Sequence, residues 1–387
     1  MDLTFTEQED AFRAEARAWL EENVPRPPLP SGDTREGFAL HKEWERALFD
    51  ARWAVVSWPQ AYGGRDATLM EWLIFEEEYY RAGAPQRVTQ NGIFLLAPTL
   101  FELGTEEQRE RILPKMAAEE TWCQGWSEPN AGSDLAGIKS RAVRDEANGG
   151  WRLSGQKTWT TRGAFCDRLV GLFRSDPDAE RHHGLTYFLV DLRAEGVTVR
   201  PVERLDGDEG FAEVFLEEVF VPDRDVLGAV HEGWRVAMAT TGSERGLTLR
   251  SPGRFMAAAA RLADLYRRHA DDGALDSDPT VRDAVVRAWI DADAYRWQTF
   301  WTVTRMMDGG QTGPEASLVK IFWSELDVRL HETALRLLGA RAELVDGDDP
   351  AAWMKGWQFA LSGPIYAGTN EIQRNVVAER VLGLPRR

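Results

Sequence analysis

The chain has 387 residues, 43% of them hydrophobic and 28% charged, with a formal net charge of -17. That length is too great for one small core and predicts roughly two or three packed units. The acidic balance excludes a nucleic-acid role that needs a basic face, and no apolar run approaches the ~18 residues of a bilayer span.

The N-terminal string MDLTFTEQEDAFRAEARAWL carries early acids and an amphipathic pattern. It lacks the basic start and apolar core of a secretory leader, which predicts a cytoplasmic protein. The two cysteines, Cys123 and Cys166, show no metal or redox spacing and read as reduced thiols, buried or half-buried. Positive charge is almost all arginine, with six lysines in the chain.

Residues 1–120 read as a helical domain. Phe12, Ala16, Trp19 and Leu20 fall on one helix face. TLMEWLIFEEEYYRAGAP is a more buried helix stopped near Gly83 and Pro85. WPQAYGGRD between them is a loop with a Gly63-Gly64 turn, and TEEQRERILPKMAAEE opens on a Thr105 cap with acids in its first turn. Over 121–232 the rhythm changes to short β-type runs: WRLSGQKTWTT, DRLVGLFRS, LTYFLVDL, VTVRPVE and AEVFLEEVFVP. From 233 to 387 long helices return, with breaks at 271–279 and 307–314, and read as a bundle of antiparallel neighbours.

Four strings could carry chemistry. GWSEPNAGSDLAG (125–137) is a small-residue loop with the Ser127 and Ser133 hydroxyls, either a cofactor-holding loop or a surface turn. In SGQKTWTTRG, Trp159 stands beside Thr160 and Thr161, an indole that can pack on a flat ring or form a cross-strand pair. In TTGSERGLTLRSPG, Glu244 and Arg245 are either a base with its neighbour in a pocket or a solvent-facing charged pair. In GPIYAGTNEIQRNVV, Ala367-Gly368 makes a turn that presents backbone N–H groups. Thr369 or Asn370 caps the helix that follows, with Gln373 at capping-box distance from Asn370. His182-His183 lies in a polar loop and reads as solvated, with no metal site. No Walker-type or dinucleotide-binding glycine string is present.

Together these strings resemble the acyl-CoA dehydrogenase family over nearly the whole chain. WSEPNAGSDLAG is similar to its flavin-loop signature, GQKTWTT to its ring-packing strand, and IYAGTNEIQRNVVAERVLGLPRR to its C-terminal flavin and substrate turn. The resemblance implies an α+β protein: an N-terminal α-helical domain, a middle β-barrel and a C-terminal four-helix bundle, with FAD between barrel and bundle. It implies that Gln124, Gly125, Trp126, Ser127, Gly132 and Ser133 run along the flavin, that Trp159, Thr160 and Thr161 hold its ring, and that Thr369 and Glu371 contact it. Ser133, Arg245, Tyr366, Ala367 and Gly368 would face the acyl-CoA or acyl-carrier-protein substrate.

Many members carry a glutamate in the turn, as YEGT, where this chain has Ala367. A subset places the base on the first long bundle helix, and Glu244 falls on that position. The resemblance implies α,β-dehydrogenation with Glu244 as base, an electron-transfer flavoprotein as acceptor, and a homodimer, homotetramer or heterotetramer. The competing readings are an oxidase or monooxygenase on the same fold, and a non-catalytic partner subunit. The RxxFG and QxxGG stretches of many members are altered here; the second reads RLLGA from Arg336.

Overall fold

The computed structural model describes residues 4–271, 279–310, 313–344 and 348–385, with backbone alone for 243–250, 270–271 and 348–350. The helices α1 (Glu7–Asn23), α2 (Arg35–Asp50), α3 (Leu69–Arg81), α4 (Ala97–Leu103) and α5 (Glu106–Ala118) come first. The strands follow: β1 (Trp122–Gly125), β2 (Arg141–Asp145), β3 (Gly150–Thr161), β4 (Arg168–Arg174), β5 (Leu185–Asp191), β6 (Val197–Val202), β7 (Phe211–Pro222) and β8 (Val226–Leu227). Then come α6 (Gly233–Asp271), α7 (Pro279–Met307), α8 (Ala316–Leu338), α9 (Asp348–Ala360) and α10 (Asn370–Val376). The helix–sheet–helix order expected from the sequence is the order found.

Backbone contacts divide the chain into two compact units. One comprises Met1–Val24, Leu69–Ala84 and Thr248–Arg387, the other Pro25–Thr68 and Pro85–Leu247. In the first, the core is a set of apolar stripes at helical spacing. Phe255, Ala258, Ala259, Leu262 and Leu265 of α6 meet Val281, Val285, Ala288, Ala292 and Tyr295 of α7, and Leu326, Leu330, Ala334 and Leu337 of α8 complete the packing. Also in this unit, the buried Glu78 carboxylate takes hydrogen bonds from Arg13 (2.9 Å), Arg17 (3.0 and 2.9 Å) and Arg81 (2.7 Å). Burial alone would raise its pKa; the three guanidinium groups reverse that and hold it at about 2.

The second unit is organised by the sheet, whose strands run in the order β6-β7-β3-β2-β4-β5-β8, with β1 added to β4. Pairing is antiparallel except where β1 and β2 run parallel to β4. One face buries Leu153, Leu169, Phe173, Phe188, Val190, Val214 and Val219.

Two features of this sheet shape what stands on it. First, the register between β3 and β7 slips between Lys157↔Val214 and Thr160↔Ala212, so β3 carries one extra residue, a β-bulge. Strict alternation would put Trp159 on the same side as Lys157. The bulge turns Trp159 outward instead, 62% exposed, and returns Thr160 to the interior. Trp159 takes a left-handed backbone (φ 58), a conformation that costs a bulky residue free energy.

Second, Lys157 is wholly buried. Its ammonium donates to Glu128 Oε1 at 2.8 Å and to the Leu172 carbonyl at 2.7 Å, and lies 4.7 Å from the centre of the Phe173 ring. Glu128 also accepts from the Lys139 and Ser140 backbone N–H groups at 2.7 and 2.9 Å. Burial pulls the Lys157 pKa down to about 8, and the Glu128 charge opposes it, so the pair is ionised at neutral pH. Burial also raises the Glu128 pKa, but the Lys157 charge and these hydrogen bonds hold it below the usual carboxylate range.

Two predictions concern these buried carboxylates. Glu128→Gln should cost about 3–5 kcal/mol by leaving the Lys157 charge without its partner, whereas Glu128→Gln combined with Lys157→Met should recover part of the loss. Denaturant unfolding of the three proteins checks this, and equal stability of wild type and the single variant would refute it. For Glu78, the lowered pKa means a contribution that is complete above pH 4.5 and lost as the pH falls through about 2. The stability gap between wild type and Glu78→Gln, measured by unfolding across that range, should therefore shrink toward the acid end.

Candidate active site

The loop after β1 is built from the sheet outward. Gly125 closes β1 opposite Gly171, and a Cβ added there would lie 2.7 Å from Leu169 Cδ1, so a larger residue would have to displace that buried side chain. Gln124 is half-buried in the same strand. Trp126 donates its indole N–H to the Tyr187 hydroxyl at 3.1 Å, edge to face with that ring. Glu128 and Ala131 exchange backbone hydrogen bonds at 3.1 and 3.0 Å, closing the Pro129-Asn130 turn. Beyond it, Gly132 and Ser133 are exposed.

This loop is stitched to the bulged part of β3 at two points. The Thr158 N–H donates to the Ser127 carbonyl at 2.9 Å. One residue earlier, Lys157 holds Glu128. The half-buried Ser127 and the exposed Trp159 indole are thereby fixed on neighbouring backbone. Trp159 meets the Phe211 ring edge-on at 5.8 Å and leaves most of its surface to solvent. Thr160 is buried and donates to the Ala212 carbonyl at 2.7 Å, while Thr161 is half-buried.

The C-terminal turn lies in the other unit. Tyr366, Ala367 and Gly368 are exposed, and Ala367 (φ 53) and Gly368 (φ 77) are both left-handed. Such a backbone at two successive positions suits glycine; the alanine is held there by its surroundings. The Gln373 side chain donates to the Ala367 carbonyl at 3.0 Å, and the Asn370 N–H to the Pro364 carbonyl at 2.8 Å. Among the described residues the Ala367 N–H meets no protein acceptor.

Thr369 is the N-cap of α10, its hydroxyl accepting from the Ile372 N–H at 3.2 Å. Gln373 forms no capping box with Asn370, contrary to its spacing. Asn370 is turned inward, where its amide oxygen accepts from the Lys320 ammonium at 2.9 Å and from the Ser324 hydroxyl at 3.1 Å. Glu371 is exposed in the first turn of α10. The Tyr366 ring lies 5.9 Å from Trp323 and 6.4 Å from Phe359.

Glu244 and Arg245 lie on α6, but their side chains fall outside the described residues. Both cysteines carry free thiols, Cys123 buried and Cys166 half-buried, as expected. Among the described residues there is no metal-binding cluster and no helix long and apolar enough to cross a membrane.

Sequence reasoning overlooked Glu128, Lys157 and Lys320. One signal was available: both lysines are among only six in a chain that otherwise relies on arginine, and Lys320 interrupts an apolar run, SLVKIFW.

Comparison with known proteins agrees with this architecture along the chain. Sequence models of the N-terminal, middle and C-terminal domains of acyl-CoA dehydrogenase match residues 6–120, 123–219 and 231–382. The chain is 38% identical to acyl-CoA dehydrogenase IpdE1 of Mycolicibacterium smegmatis, over 97% of each chain. It is 37% identical to the Mycobacterium tuberculosis protein of the same name, over 97% of this chain and 98% of that one. Among solved structures, it superposes on the Tcur3481-Tcur3483 steroid ACAD with a TM-score of 0.88 at 27% identity, covering 100% of both chains. The ChsE4-ChsE5 complex of Mycobacterium tuberculosis matches with a TM-score of 0.83 at 25% identity, again over 100% of both chains. With all three domains matched and the fold shared from end to end, the chain belongs to the acyl-CoA dehydrogenase family of flavoprotein oxidoreductases.

Proposed function

We propose that the protein carries out FAD-dependent α,β-dehydrogenation of an acyl-CoA thioester whose acyl group is bulky and ring-bearing. The observation that carries the reading is the exposed turn in which Ala367 and Gly368 are left-handed, which keeps a backbone donor at a position where many family members carry a glutamate and this chain carries alanine. The size of the acyl group rests on likeness to a solved structure named a steroid ACAD, and on small residues at Gly242, Gly246 and Ala367.

The barrel-side residues fit a flat cofactor ring. An indole held outward by a bulge offers its face, and Ser127 stands on backbone tied to the same strand. FAD, when bound, supplies the hydride acceptor for the substrate β-carbon. The chain's own work is then to hold the ring, polarise the thioester and remove a proton. The Ala367 N–H donates to the thioester carbonyl oxygen and stabilises the charge that develops there, as an oxyanion-hole donor does. Glu244 takes the α-proton, a role it can fill because the turn offers no carboxylate of its own. An electron-transfer flavoprotein is the electron acceptor in this reading.

The test is a panel of acyl-CoA thioesters with straight, branched and polycyclic acyl groups, assayed with an artificial electron acceptor. Glu244→Gln should lower turnover by roughly 10²–10⁴-fold on every active substrate. Undiminished turnover would move the base elsewhere, and activity confined to short straight chains would overturn the substrate class. A second prediction concerns Trp159. Glycine accepts φ 58 without strain, so Trp159→Gly should leave thermal stability within about 1 kcal/mol of wild type or raise it. The purified variant should nevertheless carry less flavin, read from its visible absorbance relative to protein. Full flavin content would remove Trp159 from the cofactor site.

A further inference from the structure

Of the chain's six lysines, two are buried, and both hold a loop rather than a surface partner. Lys157 holds the loop after β1. Lys320, on α8 and 8% exposed, reaches the C-terminal turn. Its ammonium donates to the Gly363 carbonyl and to Asn370 Oδ1, both at 2.9 Å. Those two residues bracket the segment that carries Tyr366, Ala367 and Gly368. The Ser324 hydroxyl, one helical turn further along α8, adds a hydrogen bond to Asn370 Oδ1 at 3.1 Å.

Burying an ammonium is expensive, and a well-packed apolar side chain would usually serve the core at least as well. What an apolar residue cannot do is fix the separation and direction of two backbone points at once. A lysine suits the task better than an arginine, because one compact nitrogen with three donors can meet both oxygens where a planar fork would not.

We propose that Lys320 is a positioning residue: it clamps both ends of the 363–370 segment and thereby sets the direction of the Ala367 N–H. The part of this inference that concerns rate rests on the function proposed above; the clamp itself does not.

The experiment compares wild type with Lys320→Met, and with Asn370→Ala in case the first variant fails to fold. Amide hydrogen exchange of the intact protein, read by mass spectrometry, tests the clamp without any substrate. Exchange over residues 363–373 should rise about tenfold in either variant while the middle of α7 stays as protected as in wild type. Steady-state kinetics then test positioning: kcat should fall roughly 10²-fold, with KM changed by no more than about threefold. A third readout is the long-wavelength absorbance that a 3-thia-acyl-CoA, a non-oxidisable analogue, develops when its α-proton is removed beside the flavin. That band should weaken in the variants although the analogue still binds. Unchanged exchange over 363–373 would overturn the clamp. Raised exchange with wild-type kcat and a wild-type band would overturn the positioning role. Wild-type protein that oxidises no thioester would instead refute the proposed function, and the exchange arm would still decide the clamp.

Discussion

The ion pair between Lys157 and Glu128 is the constraint on which the loop after β1 and the bulge of β3 depend. It joins the inward face of β3 to Glu128, 29 residues earlier in the loop after β1, and it does so in a buried position where screening by water is weak. A carboxylate bonded to two backbone N–H groups and an ammonium is over-determined in position. The loop that carries Ser127, Gly132 and Ser133 therefore leaves the sheet from a fixed point rather than as a free surface turn. The adjacent bond from the Thr158 N–H to the Ser127 carbonyl extends the same stitch by one residue.

That fixed point explains how the bulge survives. A tryptophan in a left-handed conformation is unfavourable by itself. Here Lys157, two residues before it, and Thr160, next after it, are both anchored inward, Lys157 by its ion pair and Thr160 by the Ala212 carbonyl. Between two such anchors an extra residue has nowhere to go but out. The strain is not a defect of the strand; it is the way an indole is brought to the outer face of a sheet whose alternation would have buried it.

Much of the fold is legible in the sequence, because helices announce themselves by period and by caps. The Thr105 capping box, closed by Gln108, and the stripe through Ala16 and Leu20 are examples. The long strands show equally well. What escapes is whatever depends on partners distant in sequence. β8 is two residues long, defined by its pairing with β5. The bulge shows only when β3 is laid against β7, since nothing in GQKTWTT marks where the register slips. The role of Asn370 was misjudged for a related reason. Spacing of three residues to Gln373 predicted a local box, and a buried lysine fifty residues earlier won the amide instead. Among the candidate residues, Trp159 and the turn at Ala367 could be picked out by residue type, but not their conformations. The two buried lysines were visible only as a scarcity.

The two units share one device. Each holds a non-glycine residue in a left-handed conformation, Trp159 in one and Ala367 in the other, and each secures the flanking backbone with a buried lysine. For Ala367 the choice of residue is informative. Glycine would relieve roughly 1–2 kcal/mol of local strain. It would also widen the range of conformations open to the unfolded chain and, in the native turn, to the backbone that carries the N–H. With Gly368 already next in line, a second glycine would leave the donor free to swing. An alanine restricted by its Cβ and bound at its carbonyl by Gln373 keeps the donor in one direction at modest cost. The shape of the turn does not call for a carboxylate at position 367, because backbone, Lys320 and Asn370 hold it, and none of these contacts involves the side chain there.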